Sequence, residues 1–186
     1  MSKNFKYVVL LRGVNVGGNR QVRKEDFKLV LESLGFWDVV IYINSGNAVF
    51  SSKAKPSVLK IQKALEDYFK FPVMALLISA EQMKAISDAI PSNWTNDTLN
   101  KEKIGFKSDV IFLFNSVNNH EILQKIGYKP EIETMKYVEG AVISNISRKN
   151  QLRGSLQKLI SNKSIYNNIT IRNINTVKKL TELANS

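Results

Sequence analysis

Hydrophobic and polar positions switch between two periods along this chain, and the switches mark out its elements. An apolar run near residues 6–12, KYVVLLR, predicts a strand, and a helical period over 24–34 follows, closed by Gly35 as a left-handed cap. DVVIYI and AVFSS flank the turn NSGN and read as a hairpin. Pro56 opens a helix with Val58, Ile61, Leu65 and Phe69 on one face, and PVMALLI follows as a buried strand. The order is βαββαβ, and Ser79 with Gln82 makes a capping box for one further helix reaching Pro91.

Residues 91–107, PSNWTNDTLNKEKIGFK, are polar, carry breakers and lack a period, which makes them a linker. Beyond it the pattern repeats. DVIFLF predicts a strand, Asn118 and Glu121 a capping box, and Gly127 the end of the helix it starts. IETMKYV and AVISNI flank Glu139-Gly140 as a second hairpin. A helix near 151–162, the strand NITIR and a last helix from 174 complete the half. The expectation is therefore an α+β chain of duplicated ferredoxin-like βαββαβ units with an extra helix after each, antiparallel sheets covered by helices. The first repeat would span 1–90 and the second 108–186.

Offsets between the halves locate an asymmetry. LESLGF at 31–36 echoes LQKIGY at 123–128 with a shift of 92, and Gly46 matches Gly140 with a shift of 94. Aligning LLRGVN with LFNSVN needs a shift near 103, so the first repeat carries about ten extra residues after its first strand, where insertions are tolerated and function is often grafted. They are assigned to the loop GVNVGGNRQVR. Chain direction in a βαββαβ unit places this loop and the hairpin turn at one end of the sheet, so Gly13–Arg23 should neighbour Asn44, Ser45, Gly46 and Asn47.

Charge sharpens interest in that end. The formal net charge is +11, and residues 1–24 carry six basic side chains, Lys3, Lys6, Arg12, Arg20, Arg23 and Lys24, without an acid. Arg148, Arg153 and Arg172 lie in a C-terminal stretch where Glu182 is the one acid after Glu139. Such a balance fits a polyanionic or phosphorylated partner, although a Lys-, Asn- and Ile-rich chain also results from an AT-rich genome. The absence of cysteine excludes disulfides, thiolate metal sites and cysteine nucleophiles. No stretch has the roughly 18 apolar residues of a membrane span, and the N-terminus does not read as a signal peptide, so a cytoplasmic protein without membrane contact is expected.

The glycine loop fits neither common phosphate motif: Asn15 stands where a dinucleotide fingerprint needs its second glycine, and Asn19-Arg20 where a P-loop needs Lys and Ser/Thr. What remains is physical. Gly13, Gly17 and Gly18 let backbone N–H groups converge, and Arg12, Arg20 or Arg23 offers a planar fork to phosphate or carboxylate. The competing reading is that the glycines and Asn15 and Asn19 only turn the chain. In RNINT, Asn173 or Asn175 is placed to cap the last helix, and that helix start with Arg172 beside it is a second anion candidate. His120, the single histidine, falls within a predicted capping box and reads as exposed; no carboxylate cluster has metal spacing, and no catalytic triad is legible. An RNA-recognition module needs stacking aromatics on the central strands, which YVVLLRGV and SGNAVFSS largely lack.

LLRGVNVGGN, YINSGNAVF and RNINTVKKL resemble the bacterial family known as domain of unknown function 1697, over nearly the whole chain. The resemblance implies a two-repeat ferredoxin-like fold and no particular activity or cofactor. Its pattern falls on Arg12, Gly13, Asn15, Gly17, Gly18 and Asn19, on Ser45, Gly46 and Asn47, and on Arg172, Asn173, Asn175 and Thr176. Asn44 stands where the family usually has glutamine, and Ile174 where it usually has tryptophan. The expectation carried forward is a binding module for phosphate-bearing ligands, nucleotide or nucleic acid. Its anion-binding set is Arg12, Gly13, Asn15, Gly17, Gly18, Asn19, Arg23, Asn44, Ser45, Asn47, Arg172 and Asn173, without metal or cofactor. A protein-interaction scaffold and a metal-independent enzyme on a small anion are the alternatives.

Overall fold

A computed structural model describes residues 5–18, 20–97 and 105–186. Among the described residues, eight strands form two four-stranded antiparallel sheets. β1 (Phe5–Arg12), β2 (Trp37–Tyr42), β3 (Asn47–Ser52) and β4 (Met74–Ser79) line up as β2-β3-β1-β4. β5 (Phe106–Leu113), β6 (Glu133–Val138), β7 (Ala141–Ser147) and β8 (Ile169–Asn173) repeat that order as β6-β7-β5-β8. The duplicated α+β fold expected from the sequence is the fold observed. The chain divides into two compact units, residues 1–84 with 179–186, and residues 85–178.

In the first unit, α1 (Lys24–Ser33) and α2 (Val58–Phe69) cover one face of the sheet, burying Phe27, Leu31, Ile61 and Leu65 against Val9, Leu11 and Phe50. Ser57 caps α2, and Ser79 accepts from the Gln82 amide at the start of α3 (Ala80–Asp88), as the capping box requires. The opposite face is buried too: Val8 and Leu10 are 0% exposed and Val49 is 2% exposed. That is why β1 reads as an unbroken apolar run rather than an alternating one. It also removes the sheet surface on which an RNA-recognition module would stack bases.

In the second unit, α4 (Ile122–Ile126), α5 (Ser155–Leu159) and α6 (Lys163–Tyr166) bury Ile122, Ile126, Leu159 and Ile165 over β5 and β7, and β8 leads into α7 (Ile174–Asn185), whose residues from 179 on are counted with the first unit. Here three sequence expectations are corrected. The helix expected over 151–162 is instead a 3-10 turn over Arg148–Arg153, then α5. Gly154 breaks it in extended backbone at φ −66°, ψ 161°, pressed so close that a Cβ would meet Ile146 Cδ1 at 2.6 Å. The buried Glu133 carboxylate accepts from the Ser155 amide at 3.2 Å and fixes the new helix start there. The capping box at Asn118 does not form, because its side-chain oxygen accepts from the Gly140 amide at 3.0 Å and the Tyr137 hydroxyl at 3.1 Å instead. β5 begins at Phe106, earlier than the apolar run DVIFLF suggests, because Phe106–Ser108 pair with Asn145–Ser147.

Candidate functional site

The loop after β1 is built from backbone conformations that most residues resist. Gly13 (φ 68°), Asn15 (57°), Gly17 (62°), Gly18 (77°) and Arg20 (52°) all take left-handed angles. Glycine and asparagine adopt these at low cost, so their density here follows from the path of the chain. Val14 and Val22, each 5% exposed, pin the loop to the core at both ends, whereas Val16 is 69% exposed at its outer turn. Asn19 lies outside the described residues.

Asn15 ties this loop to the hairpin turn. Its Nδ2 donates to Val22 O at 3.0 Å and to Asn44 O at 2.7 Å, and its Oδ1 accepts from the Val22 amide at 2.8 Å. Both amide hydrogens are thereby committed, which makes Asn15 a clamp. The turn is fixed from below as well: Leu11 N donates to Gly46 O at 2.7 Å, and the fully buried Asn47 donates to Tyr42 O at 3.1 Å and Ser45 Oγ at 2.7 Å. Loop and turn thus meet at one end of the sheet, where chain direction places them.

Between them lies an open groove of about 530 Å³ at the start of α1, walled by Gly18, Gln21, Arg23, Lys24, Glu25 and Asn44, among others. Among the described residues no side chain caps α1, since its N-cap position is Arg23. First-turn N–H groups of such a helix concentrate positive potential at its start. Arg23 is 75% exposed and binds Asp26 with Nε–Oδ2 at 2.6 Å and Nη2–Oδ1 at 3.2 Å. The hydroxyl of Tyr68 donates to the same Oδ1 at 3.0 Å. Hydrogen bonding by Arg23 holds the Asp26 carboxyl below the usual carboxylate range, the Tyr68 hydroxyl adding to it against the effect of burial. The hydrogen bond to Asp26 pushes the Tyr68 hydroxyl up.

Of the expected residues, Asn15, Gly18, Arg23 and Asn44 line the groove, while Gly13, Gly17 and Ser45 belong to the same loop and turn and Arg12 ends β1, none of these four being on its wall. Gln21, Lys24 and Glu25 were not singled out as ligand contacts, although the start of the helix was the available signal. Arg172 and Asn173 belong to the second unit. Asn173 Oδ1 accepts from the Thr176 amide at 2.9 Å and so caps α7. Arg172 is 8% exposed in β8, donates to Thr170 Oγ1 and Ile171 O at 2.8 Å, and burial lowers its pKa to about 10.

The second repeat clarifies what the echo between LLRGVN and LFNSVN means. Asn118 occupies the place of Asn15 and binds the second hairpin turn, with Nδ2 on Glu139 Oε1 at 2.7 Å, while Leu113 N donates to Gly140 O at 2.9 Å as Leu11 does to Gly46. The clamp is common to both repeats, and its surroundings differ in charge. Glu121 and Glu139 stand in the second where Arg23 and the NSGN turn stand in the first, and the exposed His120 lies against Tyr137 with ring centroids 4.2 Å apart. The length difference is not all loop: α1 has 10 residues and α4 has 5, so half of the extra chain is helix. The sequence assigned all of it to the glycine loop because the Asn118 capping box made α4 look longer than it is.

Comparison with known proteins follows the same lines. A family model described as "Protein of unknown function (DUF1697)" matches residues 5–143. The chain is similar in structure to the conserved bacterial protein SP0830 from Streptococcus pneumoniae, with a TM-score of 0.77 and 24% identity, covering 98% of this chain and 99% of that one. No curated protein matches. Among the described residues no helix is long and apolar enough to cross a membrane.

Proposed function

The chain belongs to the DUF1697 family of proteins of unknown function, and we propose that it binds a small phosphate-bearing ligand of about nucleotide size in the groove at the start of α1. The observation that carries this reading is the groove itself, about 530 Å³ at a helix start that no described side chain caps. That volume falls within the roughly 300–1,000 Å³ typical of small-molecule sites. A helix N-terminus favours an anion through its N–H groups and its dipole, and Arg23 and Lys24 add formal positive charge to the wall. Glu25 on the same wall disfavours a continuous polyanion more than a single phosphate held away from it. For this reason a small ligand fits better than nucleic acid, despite the net charge of +11.

Thermal shift with inorganic phosphate, nucleoside monophosphates and short RNA and DNA, at low and high salt, tests the reading. Lys24→Glu is the informative variant, because it reverses a wall charge at a position where the helix dipole favours an acid. A ligand at about 100 times its Kd adds about 2.7 kcal/mol to the wild type, or roughly 5–10 °C for a chain of this size. The expected result is that shift with a nucleoside monophosphate, modest salt dependence, and its loss in Lys24→Glu. A steep salt dependence with RNA or DNA alone would assign the charge to nucleic acid instead, and no shift with any probe would overturn the reading.

A further inference from the structure

The arginine on the groove wall is anchored, and the way it is anchored is specific. Of the five N–H donors of a guanidinium, Arg23 commits one from Nε and one from Nη2 to the two oxygens of Asp26. These bonds leave the Nη1 edge uncommitted, on a side chain that is 75% exposed and lines the groove. Asp26 is itself 8% exposed, and its Oδ1 is held from the other side by Tyr68, which α2 contributes from 42 residues along the chain. The chain Tyr68–Asp26–Arg23 therefore runs from a neighbouring helix to the wall of the groove.

We propose that Asp26 and Tyr68 are positioning residues that hold Arg23 as a preorganised fork for the oxyanion of the ligand, a phosphoryl group presenting two oxygens to one guanidinium edge. The inference rests on the groove being the binding site. An unanchored arginine loses its rotamer freedom when it binds, and an anchored one has lost it already, which favours binding. A guanidinium bridges a carboxylate and a phosphate with two edges at once; an ammonium is a point charge and does not.

The alternative role for Asp26 has the opposite sign, which makes the inference testable. If Asp26 acted on the ligand only through its charge, Asp26→Asn would remove a repelling carboxylate and phosphate would bind more tightly. Positioning requires weaker binding. The experiment titrates inorganic phosphate and a nucleoside monophosphate into wild type, Lys24→Glu, Asp26→Asn, Tyr68→Phe and Arg23→Lys, following heat and the Nε–H NMR signal of Arg23. Tyr68→Phe keeps the ring that meets Phe69 edge-on at 5.0 Å and removes only the hydroxyl, so it tests the chain even if Asp26→Asn folds poorly. Expected are affinities about 3–10-fold weaker in Asp26→Asn, Tyr68→Phe and Arg23→Lys, with the Arg23 Nε–H signal broadened in Tyr68→Phe before any ligand is added. Loss in Lys24→Glu together with unchanged or tighter binding in Asp26→Asn and Tyr68→Phe would leave the groove standing and overturn the positioning role. No binding by wild type would overturn both.

Discussion

Gly46 offers a direct test of how the hairpin turn is seated on β1. Its φ is 69°, and a Cβ there would stand 2.7 Å from both Leu11 Cβ and Val14 Cγ2. Gly13 is the matching control, with φ 68° and nothing within 4 Å of the corresponding position. Replacing either by alanine forces an L-residue into left-handed backbone, at about 1–2 kcal/mol. Only Gly46→Ala adds the overlap with two core side chains, on the order of 1–3 kcal/mol. The gain from restricting the unfolded chain is common to both and cancels in the comparison. Gly46→Ala is therefore expected to cost about 2–5 kcal/mol and Gly13→Ala about 1–2. Urea unfolding read by Trp37 fluorescence, in a Trp94→Phe background, reports on the first unit, since Trp37 lies in β2 and Trp94 in the second unit. A difference between the two variants below about 0.5 kcal/mol would refute the steric argument, because the overlap is what separates them.

Asn15→Ala removes three hydrogen bonds and is expected to destabilise the first unit by about 2–3 kcal/mol, with faster hydrogen exchange at the Val22 amide. Asn118→Ala should do the same at the Gly140 amide in the second unit. Asp26 has a folded pKa below its unfolded value, so its contribution is present above about pH 4 and is lost as pH falls through the folded value; the urea midpoint should drop on acidification, and less so in Asp26→Asn. Asp109 works in the opposite direction. Burial, opposed by Lys107 at 3.1 Å, raises its pKa, so the native state holds that proton to higher pH and stability declines as pH rises above about 4; Asp109→Asn should flatten that decline.

Local chemistry in the sequence determined the strands, the two hairpins, the cap at Ser79 and the duplication, and narrowed the cap of the last helix to Asn173 or Asn175. Each depends on residues close together in the chain: a period of burial, a side-chain oxygen three residues before an amide, a glycine where the backbone turns left-handed. The placing of the glycine loop beside the hairpin turn was legible as well, since strand direction in a βαββαβ unit leaves no other end for either.

Tertiary structure decided what those residues do once there. Asn15 is a clamp because Asn44, 29 residues away, offers a carbonyl at 2.7 Å, and Asn118 is no helix cap because Gly140 competes for its oxygen. Arg172 reads from the sequence as the end of a strand beside a helix start, and it is the fold that buries its side chain and lowers its pKa. Arg23 and Asp26 pair three residues apart in the chain, and only the packing of α2 brings the Tyr68 hydroxyl, 42 residues on, to the same carboxylate at 3.0 Å. Polar side chains of this kind have several possible partners of similar strength, and which one wins depends on distances that only the packed chain sets.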